Sequence, residues 1–576
     1  MTVETFMANF GHLADAPNGV KKLRELILQL AVQGKLVEQN SNDEPASVLL
    51  ERVEAEKEQL VKGGKIKKQK PFPAIADEEK PFDLPKGWEF VRFGDITNRI
   101  GSGSTPRGGK NAYVSSGFPF LRSQNIWNHG LELRDVAYIA EETHKKMSNT
   151  VVFPGDILLN ITGASLGRCT IFPAGIGEAN VSQHVTIIRP TMDSTKAYLH
   201  LCVLSPYTQA LVWGRQVGMA REGLSKKVLE LFEIPLPPFE EQKRIVAKVD
   251  QLMALCDELE ARQQKQQQGR VRLNNAALDA LLTAREPDEF ADHWQRISTN
   301  FDLLYDHPET IAKLRSAILQ LAVQGKLVPQ DPNDEPAGEL LKKIEEEKLR
   351  LVGEKRIKPP KPLPEIQSED LPYTLPRSWE WVYLGALSEF INGDRSKKYP
   401  NRSEYVSEGI PWINTGHIEP DGSLTQRDMN FITREKFDSL GGGKIIPGDL
   451  LYCLRGATFG KTAIVDPYYE GAIASSLMII RPYSPCSNQY LYRYLISPVG
   501  RSQIFRFDNG SAQPNLSANS VRKYAYPLPP LAEQYRIVAK VNQLMTLCDE
   551  LEAKLNQTQQ HSEKLMIATV RQLLMA

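Results

Sequence analysis

The run Gly-Ala-Thr-Phe-Gly-Lys-Thr at 456–462 is where this chain comes nearest to a group that works on phosphate. It follows the strand-like Asp-Leu-Leu-Tyr-Cys-Leu-Arg and ends in the Lys-Thr of a nucleotide-binding loop. Such a loop needs four residues between its glycines, because its backbone amides must curl around the phosphates. Here there are three, and the matching run at 163–169, GASLGRC, has neither the Lys nor the Ser/Thr. Both read as turns between strands. The nine histidines are scattered with no HExxH, and His184 is matched by Ser476 later in the chain, so no shared catalytic histidine emerges. The six cysteines, at 169, 202, 256, 453, 486 and 548, form no CxxC; neither a zinc site nor a disulfide framework is expected, and a reducing cytoplasm fits.

Asp466-Pro-Tyr-Tyr469 lacks the second proline of the (Asp/Asn)-Pro-Pro-(Tyr/Phe) loop of adenine methyltransferases, and the other half offers no counterpart. Gly101-Ser-Gly103 is too short for a cofactor signature. The polar loops carry more. The loop at 101–110 holds Ser102, Ser104, Thr105, Arg107 and Lys110, and the loop at 392–402 holds Arg395, Ser396, Lys397 and Lys398. Arg122, Gln124 and Asn125 stand against Asn414, Thr415 and His417. GMAREGLS, with Arg221, stands against NGSAQPNLS, with Ser511, Gln513 and Asn515. Arg reads guanine edges and Asn or Gln reads adenine edges in the major groove, while Ser, Thr and Lys position on phosphate. Two differently decorated loop sets on one skeleton are the expected pattern of two readers. The Lys-rich tails (Lys62, Lys65, Lys67, Lys68, Lys70; Lys355, Arg356, Lys358, Lys361) are either solvated faces or phosphate contacts.

These loops need a frame, and the chain supplies it twice. KLRELILQLAVQGKLV (22–37) returns as KLRSAILQLAVQGKLV (313–328), with Gly34 a natural helix stop. NDEPASVLLERVEAEKEQLV (42–61) returns as NDEPAGELLKKIEEEKLRLV (333–352), and LPKGWEF (84–90) as LPRSWEW (375–381). The next segments, roughly 96–233 and 387–525, share only a skeleton: PGD(I/L)L, a (V/L)(T/M)IIRP strand, and short β-rich runs between Gly, Pro and Asn turns. Residues 197–215 and 489–505 read as a helix near the end of each. Each segment leaves through PLPP into EQKRIVAKVDQLMALCDELEA (241–261) or EQYRIVAKVNQLMTLCDELEA (533–553), which differ at three positions. Ile245, Val249, Leu252, Cys256 and Leu259, and likewise Ile537, Val541, Leu544, Cys548, Leu551 and Leu555, alternate spacings of four and three, one apolar seam along a helix. The two seams are expected to face each other as an antiparallel pair, with Gly269 ending the first helix. The expected fold is therefore α+β. Two mainly-β domains stand in tandem duplication, separated by two long antiparallel coiled-coil helices, and each half has extra helical segments. The divisions fall at 1–83, 84–238, 239–285, 286–374, 375–530 and 531–576.

Lys+Arg and Asp+Glu are 70 each, so bulk charge does not draw this chain to nucleic acid, though local basic patches remain open. An apolar content of 41% and a charged content of 24% suit a globular chain. No run approaches the ~18 apolar residues of a membrane span, and the start has no basic-then-apolar signal pattern. A helix of about thirty residues is about 45 Å long, against about 34–36 Å for one turn of DNA, so a helical spacer suits two readers on successive grooves.

Taken together, the repeated KLR..ILQLAVQGKLV, LP.(G/S)WE, PGD(I/L)L and PLPP...EQ.RIVAKV.QLM.LCDELEA segments resemble the DNA-specificity subunit of a type I restriction–modification system. The likeness spans nearly the whole chain, and the long N-terminal helical block is similar to that of the larger subfamily. It implies that 84–238 and 375–530 are target-recognition domains, each reading one half of a split double-stranded DNA sequence. It also implies that the repeated helices set the spacing and dock two methyltransferase subunits, with two motor/nuclease subunits joining to restrict unmodified DNA. S-adenosylmethionine, ATP and Mg²⁺ would then belong to those partners, with no catalytic, cofactor or metal residue in this chain. The competing expectations are a stand-alone DNA methyltransferase or nuclease, and a scaffold whose variable modules bind protein.

Overall fold

Gly34 closes the first repeated helix, Gly19–Val32, in a left-handed turn (φ +70°), and a Cβ there would lie 2.3 Å from the Pro85 ring. Gly325 does the same after Pro308–Val323, with Pro376 at 2.5 Å. The glycine of LAVQGKL thus lets the Leu-Pro of LPKGWEF or LPRSWEW seat directly on the helix end. The computed structural model describes residues 10–14, 16–215, 223–455, 458–507 and 516–575. The chain divides into two compact units, one of Met1–Gln266 with Thr558–Ala576, the other of Gln267–Gln557.

In the first unit, helices Gly19–Val32 and Ala46–Lys62 precede thirteen strands. These are β1 (Glu89–Arg92), β2 (Thr97–Ser102), β3 (Tyr113–Val114), β4 (Phe118–Leu121), β5 (Ile126–Trp127), β6 (Gly130–Leu131), β7 (Ala137–Ile139), β8 (Val151–Val152), β9 (Ile157–Asn160), β10 (Cys169–Ile171), β11 (Ala179–Val181), β12 (Val185–Pro190) and β13 (Glu233–Leu236). LPKGWEF and PLPP, far apart in sequence, are the two sides of the ribbon β1–β13 that opens and closes the domain. Between them lie two sheets, β10-β9-β12-β2 and β3-β7-β4-β11-β8, and the small ribbon β5-β6. Leu121, Val152, Leu158, Phe172, Val181, Val185 and Ile187, drawn from both sheets and the turn after β10, share one dry cluster.

The second unit repeats the plan with β14 (Glu380–Tyr383), β15 (Ser388–Asn392), β16 (Ile410–Ile413), β17 (Asn430–Ile432), β18 (Lys444–Ile445), β19 (Leu450–Cys453), β20 (Thr462–Ile464), β21 (Gly471–Ile473), β22 (Leu477–Pro482) and β23 (Ala525–Leu528). Its sheets run β15-β22-β19-β20 and β17-β16-β21-β18, the same orders as in the first unit less the edge strand β3, whose place is kept by the single bridge Val406–Phe431. The repeated PGD and IIRP motifs are one structural device. Asp156 receives two bonds from Arg189 (2.6 and 2.7 Å) and Asp449 two from Arg481 (2.8 and 2.7 Å), each carboxylate also accepting a backbone amide of its own turn. Bidentate, charge-assisted pairs of this kind tie β12 or β22 to the turn before β9 or β19.

The α+β architecture of two tandem, mainly-β domains with helical blocks is what the duplication led one to expect. Three details differ. Each expected helix near a domain end is two helices, Lys196–Leu204 with Pro206–Gly214 and Asn488–Ile496 with Pro498–Arg506, because Ser205-Pro206 and Ser497-Pro498 stop one and cap the next. The long helix does not end at Gly269 but runs from Phe239 to Thr283. One glycine costs a helix only about 1 kcal/mol, and burial of Leu278 and Leu281 beyond it outweighs that. The segment joining the halves is itself helical, at Pro287–Thr299 and Phe301–Leu304.

The third difference is the partner of each seam. Ile245, Val249, Leu252 and Cys256 are buried in one core with Leu23, Leu26, Ile27 and Leu30 of the first repeated helix, with Leu259 against its margin and Met566 completing it. Ile537, Val541 and Cys548 are buried with Ile311, Ile318, Leu319 and Leu321 of the second, and Leu544, Leu551 and Leu555 pack at the margin. Each seam is therefore filled largely by the LQLAV helix of its own half. Flanking ion pairs repeat too: Arg24 to Asp257 (2.7 Å) and Glu260 (3.0 Å), Arg315 to Asp549 (2.7 Å) and Glu552 (3.0 Å). Such exposed pairs are worth at most about 1 kcal/mol each, whereas each buried aliphatic side chain contributes about 1.5–3 kcal/mol, so the seam itself dominates.

Candidate nucleic-acid interface

The strand order brings the polar loops of each domain to one sheet edge. Arg168 O accepts the amide of Asn160, Asn160 pairs with Val185, and Val185 O accepts the amide of Gly103. The loops after β2, after β9 and before β12 therefore meet in one row. β4 lies parallel to β11, and Asn160 Nδ2 reaches Ser123 O at 2.9 Å, which adds the turn after β4. Gly103 is required here: a Cβ would lie 2.0 Å from Val181 O, and at the equivalent Gly393 2.6 Å from Ala474 O.

Along the first edge, Ser102 Oγ meets Thr186 Oγ1 at 3.1 Å, Ser104 donates its amide to Val181 O at 3.2 Å, and Thr105 donates to Gln183. Gln183 Nε2 lies 3.1 Å from His184 Nε2, and His184 Nδ1 2.7 Å from Thr162 Oγ1. Arg107, Lys110 and Gln124 are exposed. Arg107 and Lys110 make no ion pair with a described residue, and this matters because an unpaired exposed cation is available to phosphate. Arg122 is partly committed, its Nη2 donating to Asp135 O at 2.6 Å. Sequence reasoning passed over Gln183, Thr162 and Trp127, and set His184 aside. The signal that points to them is the strand register, since each stands at the end of a strand next to a chosen loop.

Asn125 is not exposed on that edge. It is buried (1% exposed), its Oδ1 accepting from the Arg122 amide and its Nδ2 donating to Glu132 O at 2.8 Å. His417, at the same place in the second domain, is also buried; its Nδ1 accepts from the Asn414 amide at 3.1 Å, and burial pushes its pKa below the ordinary histidine value. Both close the tight turn after β4 or β16, which is why a polar residue recurs there. Asn414 accepts the Gly416 amide at 2.8 Å, and Thr415 is half-exposed beside it.

The second edge is the more basic. Arg395, Ser396, Lys397 and Lys398 are all exposed, and so is Arg455; none of these four cations makes an ion pair with a described residue. The loop is pinned by buried Asp394, which accepts the amides of Ser396 (2.6 Å) and Gly441 (2.7 Å); the Ser396 side chain foremost, and then these amides, hold its carboxyl below the usual range. Arg221, Ser511, Gln513 and Asn515, like residues 456 and 457 of the phosphate-loop-like run, lie outside the described residues. Lys461 of that run donates to Ile418 O at 3.1 Å and so is tied to the turn after β16. In Asp466-Pro-Tyr-Tyr469, Tyr468 is engaged in the same way, its hydroxyl on Thr425 O at 2.7 Å. Among the described residues no group of three His, Cys, Asp or Glu is placed to hold a metal, and no helix is long and apolar enough to cross a membrane. The seam thiol Cys256 is pushed up to about 11 by burial, against thiolate reactivity.

One skeleton carried twice, with shared residues that fix its turns and a polar edge decorated differently in each copy, is the pattern of a duplicated recognition protein. The chain belongs to the type I restriction–modification DNA specificity family: the family model described as "Type I restriction modification DNA specificity domain" matches residues 85–267 and 376–559. It is 36% identical to the type I restriction enzyme EcoAI specificity subunit of Escherichia coli, over 92% of this chain and 90% of that one. It is 33% identical to the EcoEI specificity subunit of Escherichia coli, over 94% of this chain and 92% of that one. The crystal structure of the HsdS subunit from Thermoanaerobacter tengcongensis aligns over 86% of this chain and 98% of its own, at 20% identity and a TM-score of 0.42. The chain is thus a specificity subunit with two target-recognition domains.

Proposed function

We propose that this chain is the non-catalytic, DNA-reading part of a restriction–modification complex. Each domain edge reads one half of a bipartite double-stranded target, and the repeated helices space the two readers and dock two methyltransferase subunits. Two motor/nuclease subunits join them, and S-adenosylmethionine, ATP and Mg²⁺ act in those partners, in the cytoplasm. One observation carries the reading. The residues the two halves share, such as Asp156–Arg189 and Asp449–Arg481, fix the fold, while the edges that the fold exposes differ: Arg107, Lys110, Gln183 and His184 on one, Arg395, Lys397, Lys398 and Arg455 on the other. A shared catalyst would repeat its reactive groups; two readers of different sequence need repeat only the skeleton that presents their edges.

The test is a module exchange. Replacing residues 96–233 with the corresponding segment of another family member should change one half of the methylated sequence and leave the other half unaltered. An unchanged target sequence, or methyl transfer or strand cleavage by the purified chain alone, would overturn the proposal. Methylome sequencing of the host with and without the chain reads both half-sites directly.

A further inference from the structure

Arg168 stands apart from the other arginines of the first domain. Its guanidinium carbon lies 3.6 Å from the ring centroid of Trp127, within stacking distance. Arg92, Arg122, Arg189 and Arg215 each donate to a carboxylate or a carbonyl, but no hydrogen bond or ion pair joins the Arg168 guanidinium to a described residue. Both halves of the stack are fixed from behind. The Trp127 indole N–H donates to Gln124 O at 2.9 Å, and Asn128 Oδ1 accepts the Cys169 amide at 3.0 Å, which fastens the β5–β6 ribbon to β10. The Arg168 backbone is held at both ends, its amide on Ser165 O and its carbonyl on the Asn160 amide. The result is a cation whose plane is set and whose N–H edge is unspent, in the row that also holds Asn160, Val185 and Gly103.

An arginine held this way suits a planar edge with two adjacent acceptors. On duplex DNA that is the O6 and N7 of guanine, taken by two parallel N–H bonds. Phosphate accepts the same fork, but a free arginine can swing to meet it, so a plane fixed in advance by stacking adds less there than at a base edge. The polar side chains beside Arg168 on the edge, Thr162, Gln183 and His184, form a hydrogen-bonded set suited to neighbouring bases rather than a cationic stripe suited to backbone. The second domain lacks the device. Glu419 takes the place of Trp127, and Lys461, in the place of Arg168, spends its ammonium on Ile418 O.

From this we infer that Arg168, oriented by Trp127, reads a guanine in the half-site bound by the first domain. The inference rests on the reading of the chain as a DNA-recognition subunit. It is tested with the full chain assembled with its methyltransferase partner, once the wild-type target is known. Binding is measured to duplexes in which 7-deazaguanine, which lacks N7, replaces each guanine of the first half-site in turn. One replacement should weaken wild-type binding about tenfold and leave Arg168→Ala indifferent. Methylome sequencing of Arg168→Ala and Arg168→Lys should show that same position relaxed, since lysine keeps the charge but not the fork. The second half-site should be read as before in every variant, which controls for folding. Equal weakening on all sequences with a shallower salt dependence would make Arg168 a phosphate contact and overturn the inference. So would an unaltered methylation pattern, which would make the stack a structural staple. A wild-type complex with no sequence preference would instead bring down the recognition reading itself.

Discussion

The indole N–H of Trp88 donates to the Glu241 carboxylate at 3.0 Å, and Trp379 makes the same bond to Glu533 at 2.9 Å. The second oxygen of each carboxylate takes a glutamine from the chain just past the repeated helix, Gln39 at 2.7 Å or Gln330 at 2.6 Å. One turn further on, Arg244 grips Asp43 and Arg536 grips Asp334. The first turn of each long helix thus clasps the opening motif of its domain and the helical block before it. Three segments distant in sequence meet at one buried acid, which fixes the angle at which the helix leaves the domain.

Burial pushes the pKa of Glu241 up, and the bonds from Trp88 and Gln39 only partly restore it. A carboxyl whose folded pKa is raised carries more proton folded than unfolded, so its contribution to stability is present in acid and is lost as pH rises from the ordinary glutamate range through the folded value. Glu241→Gln, which is neutral throughout, should therefore gain on the wild type as pH rises. The melting temperature of the variant minus that of the wild type should be more positive near pH 8 than near pH 5. A difference that is flat, or that runs the other way, would show that the buried carboxylate bears no net desolvation cost.

The seam makes a second, larger claim on stability. Leu252→Ala should cost about 2–5 kcal/mol, because it opens a cavity between the long helix and the helix Gly19–Val32. Arg24→Ala, which removes the exposed pairs to Asp257 and Glu260 beside it, should cost under about 1 kcal/mol. Urea titration of each single variant gives the comparison. Equal losses would mean that the ion pairs, not the apolar seam, set the register.

Much of this was open to reading in the sequence, and the part that was not has a physical cause. The duplicated skeleton was plain because helix faces and the LP..WE and PLPP motifs persist at constant spacing. A heptad pattern says only that a helix has an apolar stripe, not what fills it, so it does not reveal the LQLAV helix packed on each seam. The better clue is that KLR..ILQLAVQGKLV and EQ.RIVAKV.QLM.LCDELEA stay nearly identical while the domains between them diverge, as two sides of one interface would. The edge was legible loop by loop, through Ser102, Arg107, Arg395 and Lys398, but not as a surface. Which loops share an edge depends on strand order, and strands of two to six residues carry too little pattern to fix it. Asn125 and His417, buried in their turns, show the same limit, since a polar residue that closes a turn and one that reads a base are the same letters.

Asn125 gives a prediction that separates those two roles. Asn125→Ala leaves the Arg122 amide and the Glu132 carbonyl without partners in a buried turn, a loss of about 1–3 kcal/mol. The variant should melt lower yet be methylated at the wild-type sequence when assembled. A changed target sequence at unchanged stability would return Asn125 to the set of base readers.

The basic arm of the second domain should act on affinity rather than on choice of sequence. Asp394 holds the loop by two backbone amides, and its depressed pKa keeps that anchor charged through the neutral range. Beyond it, Arg395, Lys397 and Lys398 project without carboxylate partners among the described residues. Lys397 and Lys398 are point charges on flexible stems with no fork for a base edge, and no described ring stacks on Arg395 to fix its plane as Trp127 does for Arg168, so the arm is suited to phosphate. Each cation that meets a phosphate releases counterions and adds about 0.9 to the slope of log K against log salt. Replacing all three with alanine should lower that slope by roughly 2–3 and weaken specific and non-specific duplexes alike. The two half-sites should stay as they were. A variant that loses affinity only for the specific duplex, with the salt slope intact, would move these residues from backbone contact to base contact.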